Sequence, residues 1–432
     1  MEQLFYDPLT SSPPQSPAKK VEQVQEPPKK VEEEQEPEEV YLQNVSENIS
    51  RQIQLIDDNF TPKIKRGDEE IQISVTNPIF KEDKITKHVI YTILGRDNSG
   101  PFETYRRYKD FIALRSSLVI RWPGCYIPQL PPKQRVGNKQ PQFIEQRRKL
   151  LEYFMKRCVG LSYIKSSEEF RLFLRGAGEY KRIILEQRRP NYIEIAHSLQ
   201  NEFTEFSLYQ LSDEANRQIA EAEKLFQGGL ETLEKFEDVC KLNVDYYASF
   251  DNELLGLMQG LKNINVFYQQ NYNAREIKIP LRDSHINPYQ ILLDWVRCEI
   301  LDMQAIIEAI EKKNEYDRIR ESAESKLEED KAQLEKLMSG KKTLSQRLSA
   351  KPKEHHISKQ ETIIQELEAE IKSILTINKI ITARLIHKEI PAFKDTKLSL
   401  YEVIMRTFTT STIEELQSLI NQGKTIEESL NF

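Results

Sequence analysis

Arg106-Arg107-Tyr108-Lys109-Asp110-Phe111 stands where an alternating pattern gives way to a helical one. Phe102 to Tyr108 reads as a strand, and from Phe111-Ile112-Ala113-Leu114 onward the apolar residues follow a helical period. Two adjacent guanidiniums beside an aromatic ring, where a helix begins, suit a phosphorylated sugar ring. Arginine forks onto phosphate oxygens, and the aromatic ring offers a flat face. The same six residues also fit a solvated strand end, so their neighbours have to decide.

Upstream, Ile71, Ile73 and Val75 alternate with polar residues until Asn77-Pro78 breaks the run, and Val89, Tyr91 and Ile93 alternate again before the turn Arg96-Asp97-Asn98-Ser99-Gly100. With Phe102 to Tyr108 this predicts a three-stranded antiparallel meander. Downstream lies Pro123 to Lys133, too rich in proline for either period, and it ends in Pro131-Pro132-Lys133. Helical patterns follow at Phe143 to Cys158 and Glu168 to Leu174, with Arg147-Arg148-Lys149 in the opening turns of the first. Strands followed by helices point to a small α+β domain. If the Pro-rich loop folds back over the strand ends, Lys133 and Arg147 converge on the Arg106-Arg107-Tyr108 corner. Arg148 and Lys149 are general anion contacts or an ordinary exposed helix face.

In order and spacing, these three stretches resemble the PX (phox-homology) domain across roughly residues 68–178: Arg106 to Phe111 its RRYxxF element, Pro131-Pro132-Lys133 its proline-rich loop, Phe143 to Arg148 the start of its third-quarter helix. The resemblance implies binding of phosphatidylinositol 3-phosphate. It assigns Arg107 to the 3-phosphate, Tyr108 to the underside of the inositol ring, Lys133 to the 1-phosphate and Arg147 to the 4- and 5-hydroxyls. Arg106 takes a structural or outer role and Arg148 an outer one. Val136, in the loop beyond Lys133, is a candidate for dipping into the bilayer.

After Gly176-Ala177-Gly178 the character turns helical. Stretches without internal proline run from about Asn191 to Tyr272, Pro288 to Ser339 and Ile357 to Glu389, separated by Ile279-Pro280 and Lys351-Pro352-Lys353. Apolar residues recur at three and four, for example Ile363, Ile364, Leu367, Ile371, Ile374 and Leu375. Beyond Pro391 the pattern is less regular, and the run Thr407 to Thr412 is expected to interrupt a long final helix. Helices of this length span roughly 50 to 120 Å, and such rods usually pair with a second copy. This half is similar to the BAR domain that follows PX in one class of sorting nexins. The expected fold is an α+β PX domain, a three-stranded antiparallel sheet plus helices, followed by an all-α BAR-like bundle of three long antiparallel helices. The expected divisions are an acidic Pro/Gln/Glu-rich disordered tail over 1–60, PX over 68–178, a basic connector over 179–192 and the helical dimerisation domain over 193–430.

Charge is distributed to match. Residues 1–60 carry net −8, residues 61–180 net +10, and the remainder −8, within a total of −6. A basic domain meets an anionic lipid surface or nucleic acid, but neither aromatic stacking platforms nor a groove-sized basic helix is evident. Lys181, Arg182, Arg188 and Arg189 in the connector, and Lys341, Lys342, Arg347, Lys351 and Lys353 at the turn before the last helix, are candidate membrane contacts; in a BAR dimer that turn lies at the tip. The acidic balance of the helical half counts against a uniformly basic concave face.

Cys125, Cys158, Cys240 and Cys298 have no metal or redox spacing and are expected to be reduced. The histidines are scattered, and no Gly-rich phosphate loop, GxSxG or HExxH occurs, so no enzyme, metal site or cofactor is expected. With no leader-like segment and no apolar run near 20 residues, the chain is expected in the cytoplasm, peripheral on early endosomes. There it would read phosphatidylinositol 3-phosphate and sense or induce curvature as a homo- or heterodimer. Retromer-like, other sorting-nexin or autophagy-linked partners all fit. The alternative is a PX-anchored coiled-coil scaffold or tether without curvature activity.

Overall fold

The computed structural model describes residues 71–82, 87–133, 140–186, 188–280, 287–339 and 353–431. The tail over 1–60, Val136, Lys341, Lys342, Arg347 and Lys351 lie outside them, as does the side chain of Lys353.

Strands β1 (Gln72–Glu82), β2 (Lys87–Asp97) and β3 (Gly100–Arg107) form an antiparallel meander in the order β1-β2-β3. Asn77-Pro78 does not end β1. Instead the register slips between Thr76 and Ile79, a bulge on an edge strand, which is where a residue without an N–H is tolerated. In β3 every second side chain is buried: Phe102, Thr104 and Arg106 face inward while Glu103 and Tyr105 face out. The two arginines of the opening motif therefore part company. Arg106 belongs to the core side, and Arg107, paired with Ile90 at the strand end, does not.

Helices α1 (Tyr108–Arg121), α2 (Pro141–Val159), α3 (Ser162–Lys165) and α4 (Glu168–Arg175) cover the inner face of the sheet. Phe111 is fully buried among Tyr91, Phe154 and Phe173, meeting each edge to face with ring centroids 5.0 to 6.4 Å apart. Where a connector is expected, helix α5 (Tyr180–Glu186) buries Tyr180 against Phe173, and its hydroxyl donates to the Glu169 carbonyl at 3.0 Å.

The helical half consists of α6 (Tyr192–Glu202) and three long helices: α7 (Asp213–Tyr272), α8 (Pro288–Met338), and α9 (Lys353–Arg384) running on into α10 (Ile390–Asn431). Two expectations are corrected. The stretch from Asn191 to Tyr272 is broken at 203–212, because Phe203 and Phe206 leave the helical path to become buried, Phe203 against Trp122 with centroids 5.9 Å apart. Ser212 then caps α7 by accepting from the Ala215 N–H at 3.2 Å. Nor does the last helix stop at Pro391. Leu385–Glu389 forms a π-turn, with the Ile390 N–H reaching back to the Leu385 carbonyl and Arg384 Nε donating to Glu389 Oε1 at 2.7 Å across the wide turn. A wider turn relieves the proline's clash with the preceding one. Thr407, Thr409 and Thr412 stay helical by donating their hydroxyls to the carbonyls of Val403, Met405 and Phe408.

Ile306, Ile310, Ile374, Ile377 and Ile381 fill the bundle's interior. The outward faces are not fully covered. Along α7, Val239, Leu242, Tyr246, Phe250, Leu257 and Ile264 form an exposed stripe at helical spacing, and Leu398, Ile413, Leu416 and Ile420 do so on α10.

The described residues fall in one compact unit, and Gly124 marks how closely its parts approach. At φ +70° it sits in a conformation side chains disfavour, and a Cβ there would lie 2.9 Å from Cβ of Ile381 in α9. Gly124→Ala should therefore destabilise the chain by about 2 kcal/mol, strain and overlap together, read as a lower denaturant midpoint.

Candidate phosphoinositide site

The corner where β3 becomes α1 is built around Arg147. This residue, only 9 % exposed, lies between two rings: its guanidinium carbon is 4.4 Å from the Tyr108 centroid and 4.3 Å from that of Phe143, one turn earlier in α2. Its Nη2 donates to the Pro132 carbonyl at 3.4 Å, and its charge acts on the nearby Tyr91 hydroxyl. Burial raises that hydroxyl's pKa to about 12 despite the arginine's opposing pull, so Tyr91 stays neutral. Nε of Arg147 is buried with no hydrogen-bond partner among the described residues. A stacked, nearly dehydrated guanidinium with donors to spare is a receptor for an oxygen-rich ligand.

Tyr108 is fixed from its other end, since its hydroxyl donates to the Pro131 carbonyl. The Pro-rich segment is thus folded back over the strand end, and it delivers Lys133, exposed, to the same corner. Arg107 is half-buried at the helix start, its N–H donating to Asp110 Oδ2 at 2.8 Å, while its guanidinium makes no hydrogen bond or ion pair among the described residues. Of the four expected site residues, Tyr108 and Arg147 are in ring-to-guanidinium contact, Arg107 directly precedes Tyr108, and Lys133 follows the Pro132 carbonyl that Arg147 holds.

Arg106 does different work. Its Nε donates to the Phe173 carbonyl at 2.9 Å and Nη2 to those of Gly176 at 2.7 Å and Leu172 at 3.3 Å. These are carbonyls at the C-terminal end of α4, where a helix leaves acceptors unpaired and partial negative charge collects. Burial lowers its pKa, opposed by Asp110 and Tyr180. Arg148 is also occupied: it pairs with Glu145 at 2.8 Å and Glu152 at 2.6 Å and donates to the Val75 carbonyl at 2.6 Å, clamping α2 to β1. Lys149 lies 3.8 Å from Asp294. Neither forms the solvated helix face that is the plainer reading of that sequence.

Comparison with known proteins bears on all of this. A family model described as PX domain matches residues 95–176. Sorting nexin 1 of Arabidopsis thaliana is 30% identical over 126 residues, 28% of this chain and 31% of the relative. The vacuolar protein sorting-associated protein vps5 of Schizosaccharomyces pombe is 33% identical over 108 residues (24% and 19%), and human sorting nexin-7 is 33% identical over 125 (26% and 32%). The matched stretch thus spans less than a third of each of these relatives. The cryo-EM structure of the SNX-BAR Mvp1 tetramer aligns over 81% of this chain and 99% of that one, with a TM-score of 0.50 and 17% identity. Residues 95–176 thus match the PX domain, and the fold as a whole is a PX domain followed by a BAR-like helical rod.

Other candidate contacts are less concentrated. Lys181 and Arg182 project from α5, Arg182 pairing with Glu186 at 3.0 Å, and Arg188 pairs with Glu194 beside exposed Arg189. Among the described residues no group of His, Cys, Asp or Glu could hold a metal ion, and no helix is long and apolar enough to cross a membrane. Of the four thiols, Cys125, Cys158 and Cys240 are buried and Cys298 partly so, all unpaired.

Two participants are given no role by the sequence reading. Phe143 carries a signal, lying four residues before Arg147 on one helix face. Tyr91 carries none until the register places it opposite Arg106.

Proposed function

We propose that this chain is a non-catalytic peripheral membrane adaptor that binds phosphatidylinositol 3-phosphate through Arg107, Tyr108, Lys133 and Arg147. Its long helical half would dimerise and sense or induce curvature during endosomal sorting and recycling, on the cytosolic face of early endosomes, with a second copy, another sorting nexin or a retromer-like coat as partner. The observation that carries the reading is the pairing of Arg107, whose guanidinium makes no hydrogen bond among the described residues, with Arg147 wedged between Tyr108 and Phe143. A guanidinium with a buried, unpartnered Nε stacked on the ring that follows Arg107 suits an anionic, ring-shaped ligand. The uncovered stripes on α7 and α10 support pairing of the rods. A pair presents two pockets, and linked pockets on one surface gain avidity of about 10²- to 10⁴-fold.

The test is co-sedimentation with vesicles of graded diameter, with and without phosphatidylinositol 3-phosphate. The expected result is lipid-dependent binding that strengthens as diameter falls, with tubules formed from large vesicles at high protein density. Lipid-dependent binding that ignores diameter would leave an anchored scaffold.

A further inference from the structure

The segment that ends at Lys133 is gripped from two sides, and only one grip belongs to the pocket. Toward the pocket, Tyr108 and Arg147 hold the carbonyls of Pro131 and Pro132. Toward the helical half, Tyr126 Oη donates to Asp302 Oδ1 at 2.6 Å, and Gln129 Nε2 donates to Glu308 Oε2 at 3.2 Å. Arg115 ties both together. Its Nε donates to the Pro128 carbonyl at 2.8 Å, while Nη1 and Nη2 fork onto Glu308, Nη1 at 3.4 Å. Asp302 and Glu308 lie less than two turns apart on α8, and each carboxylate is met by a side chain of the loop, Tyr126 at Asp302 and Gln129 at Glu308.

What lies between Gln129 and Lys133 makes this grip consequential. Leu130 is buried, and Pro131 and Pro132 have fixed φ. So short and stiff a span cannot absorb a displacement at Gln129; it passes it on to Lys133. Resting on the headgroup reading above, we infer that Glu308, far in sequence from every pocket residue, is a positioning residue that sets where Lys133 stands and so how well the pocket holds the phosphate nearest the lipid. The coupling is reciprocal: a bound headgroup stiffens the loop against α8, and whatever shifts α8 alters headgroup affinity.

The experiment titrates the full chain with two soluble probes, inositol 1,3-bisphosphate and inositol 3-phosphate, by calorimetry. Wild type should prefer the bisphosphate by roughly tenfold, the contribution of one charge-assisted contact. Lys133→Ala should erase that preference. Glu308→Gln should erase it too, while binding inositol 3-phosphate within about twofold of wild type, because Arg107 is untouched. Glu237→Gln, which loosens the Arg297 pair between α7 and α8 away from the loop, should change neither. Circular dichroism checks folding, and Gln129→Ala, which alters only the loop side, should move the preference the same way should Glu308→Gln fold poorly. Glu308→Gln that keeps the full preference, or that weakens both probes equally, overturns the inference. Wild type that binds neither probe, or Arg107→Ala that binds both probes as tightly as wild type, overturns the headgroup reading itself.

Discussion

Arg107→Ala abolishes sedimentation with vesicles containing phosphatidylinositol 3-phosphate, weakening binding on the order of 100-fold, and leaves the melting transition where it was. The size follows from removing a fork that meets a doubly charged phosphate in a partly dehydrated corner, leaving that charge without its donor. The unchanged melt follows from the absence of any side-chain hydrogen bond from Arg107 to the described residues. Arg106 supplies the contrast. It holds three carbonyls at the end of α4, so Arg106→Ala lowers the melting temperature and affects lipid binding only as folding fails. Two neighbouring residues of one type then give opposite signatures, and retained lipid binding by folded Arg107→Ala protein would remove the pocket from consideration.

Asp302→Ala costs about 3 kcal/mol of stability, measured by chemical denaturation, because it strands the half-buried Arg157, leaves Lys397 with Glu299 alone and takes the acceptor from two tyrosine hydroxyls. Asp302 is 1 % exposed and receives Tyr126 Oη and Tyr153 Oη at 2.6 Å each, Lys397 Nζ at 2.6 Å and, at 3.5 Å, Arg157. Those donors come from the Pro-rich segment, α2 and α10, so the carboxylate joins the sheet domain to the rod. Burial alone would raise its pKa; Arg157, Lys397 and the hydrogen bonds from Lys397 and Tyr126 outweigh burial and hold it at about 2. A depressed carboxyl contributes its stability above the unfolded pKa near 4 and loses it as pH falls toward 2, about 2 kcal/mol in all. Wild type should therefore lose more stability than Asp302→Asn between pH 7 and pH 3. An equal loss would show that the charge on Asp302 carries none of the acid sensitivity.

Much of the fold was legible because its signals are local. Alternation marks the strands, the Asp97 to Gly100 turn chemistry closes the second hairpin, and three- and four-residue spacing marks the long rods. At the candidate site, motif order carries as far as the contact of Arg147 with Tyr108 and the return of the Pro-rich segment over both. Parity along β3 would also have separated Arg106 from Arg107 without any resemblance. The break at 203–212 was hidden because its cause is distant, the burial of Phe203 against Trp122 some eighty residues away. Continuation through Pro391 was hidden because a π-turn spreads the proline's disruption over residues whose side chains give no sign of it. The joint at Asp302 was invisible for a related reason. Mid-helix acids usually meet water, and nothing near Asp302 in the sequence announces two tyrosines and two cations arriving from elsewhere.

The uncovered apolar stripe along α7 has a consequence for how much working protein exists. In the proposed pairing, the partner rod removes Val239, Leu242, Tyr246 and their successors from water, so part of what stabilises each chain is supplied by another. Stability is then a property of abundance as well as of sequence. Mass action would set the fraction of rods that are complete, and a cell could then silence the proposed adaptor simply by thinning its supply, with no modification of the protein and no change in its proposed lipid.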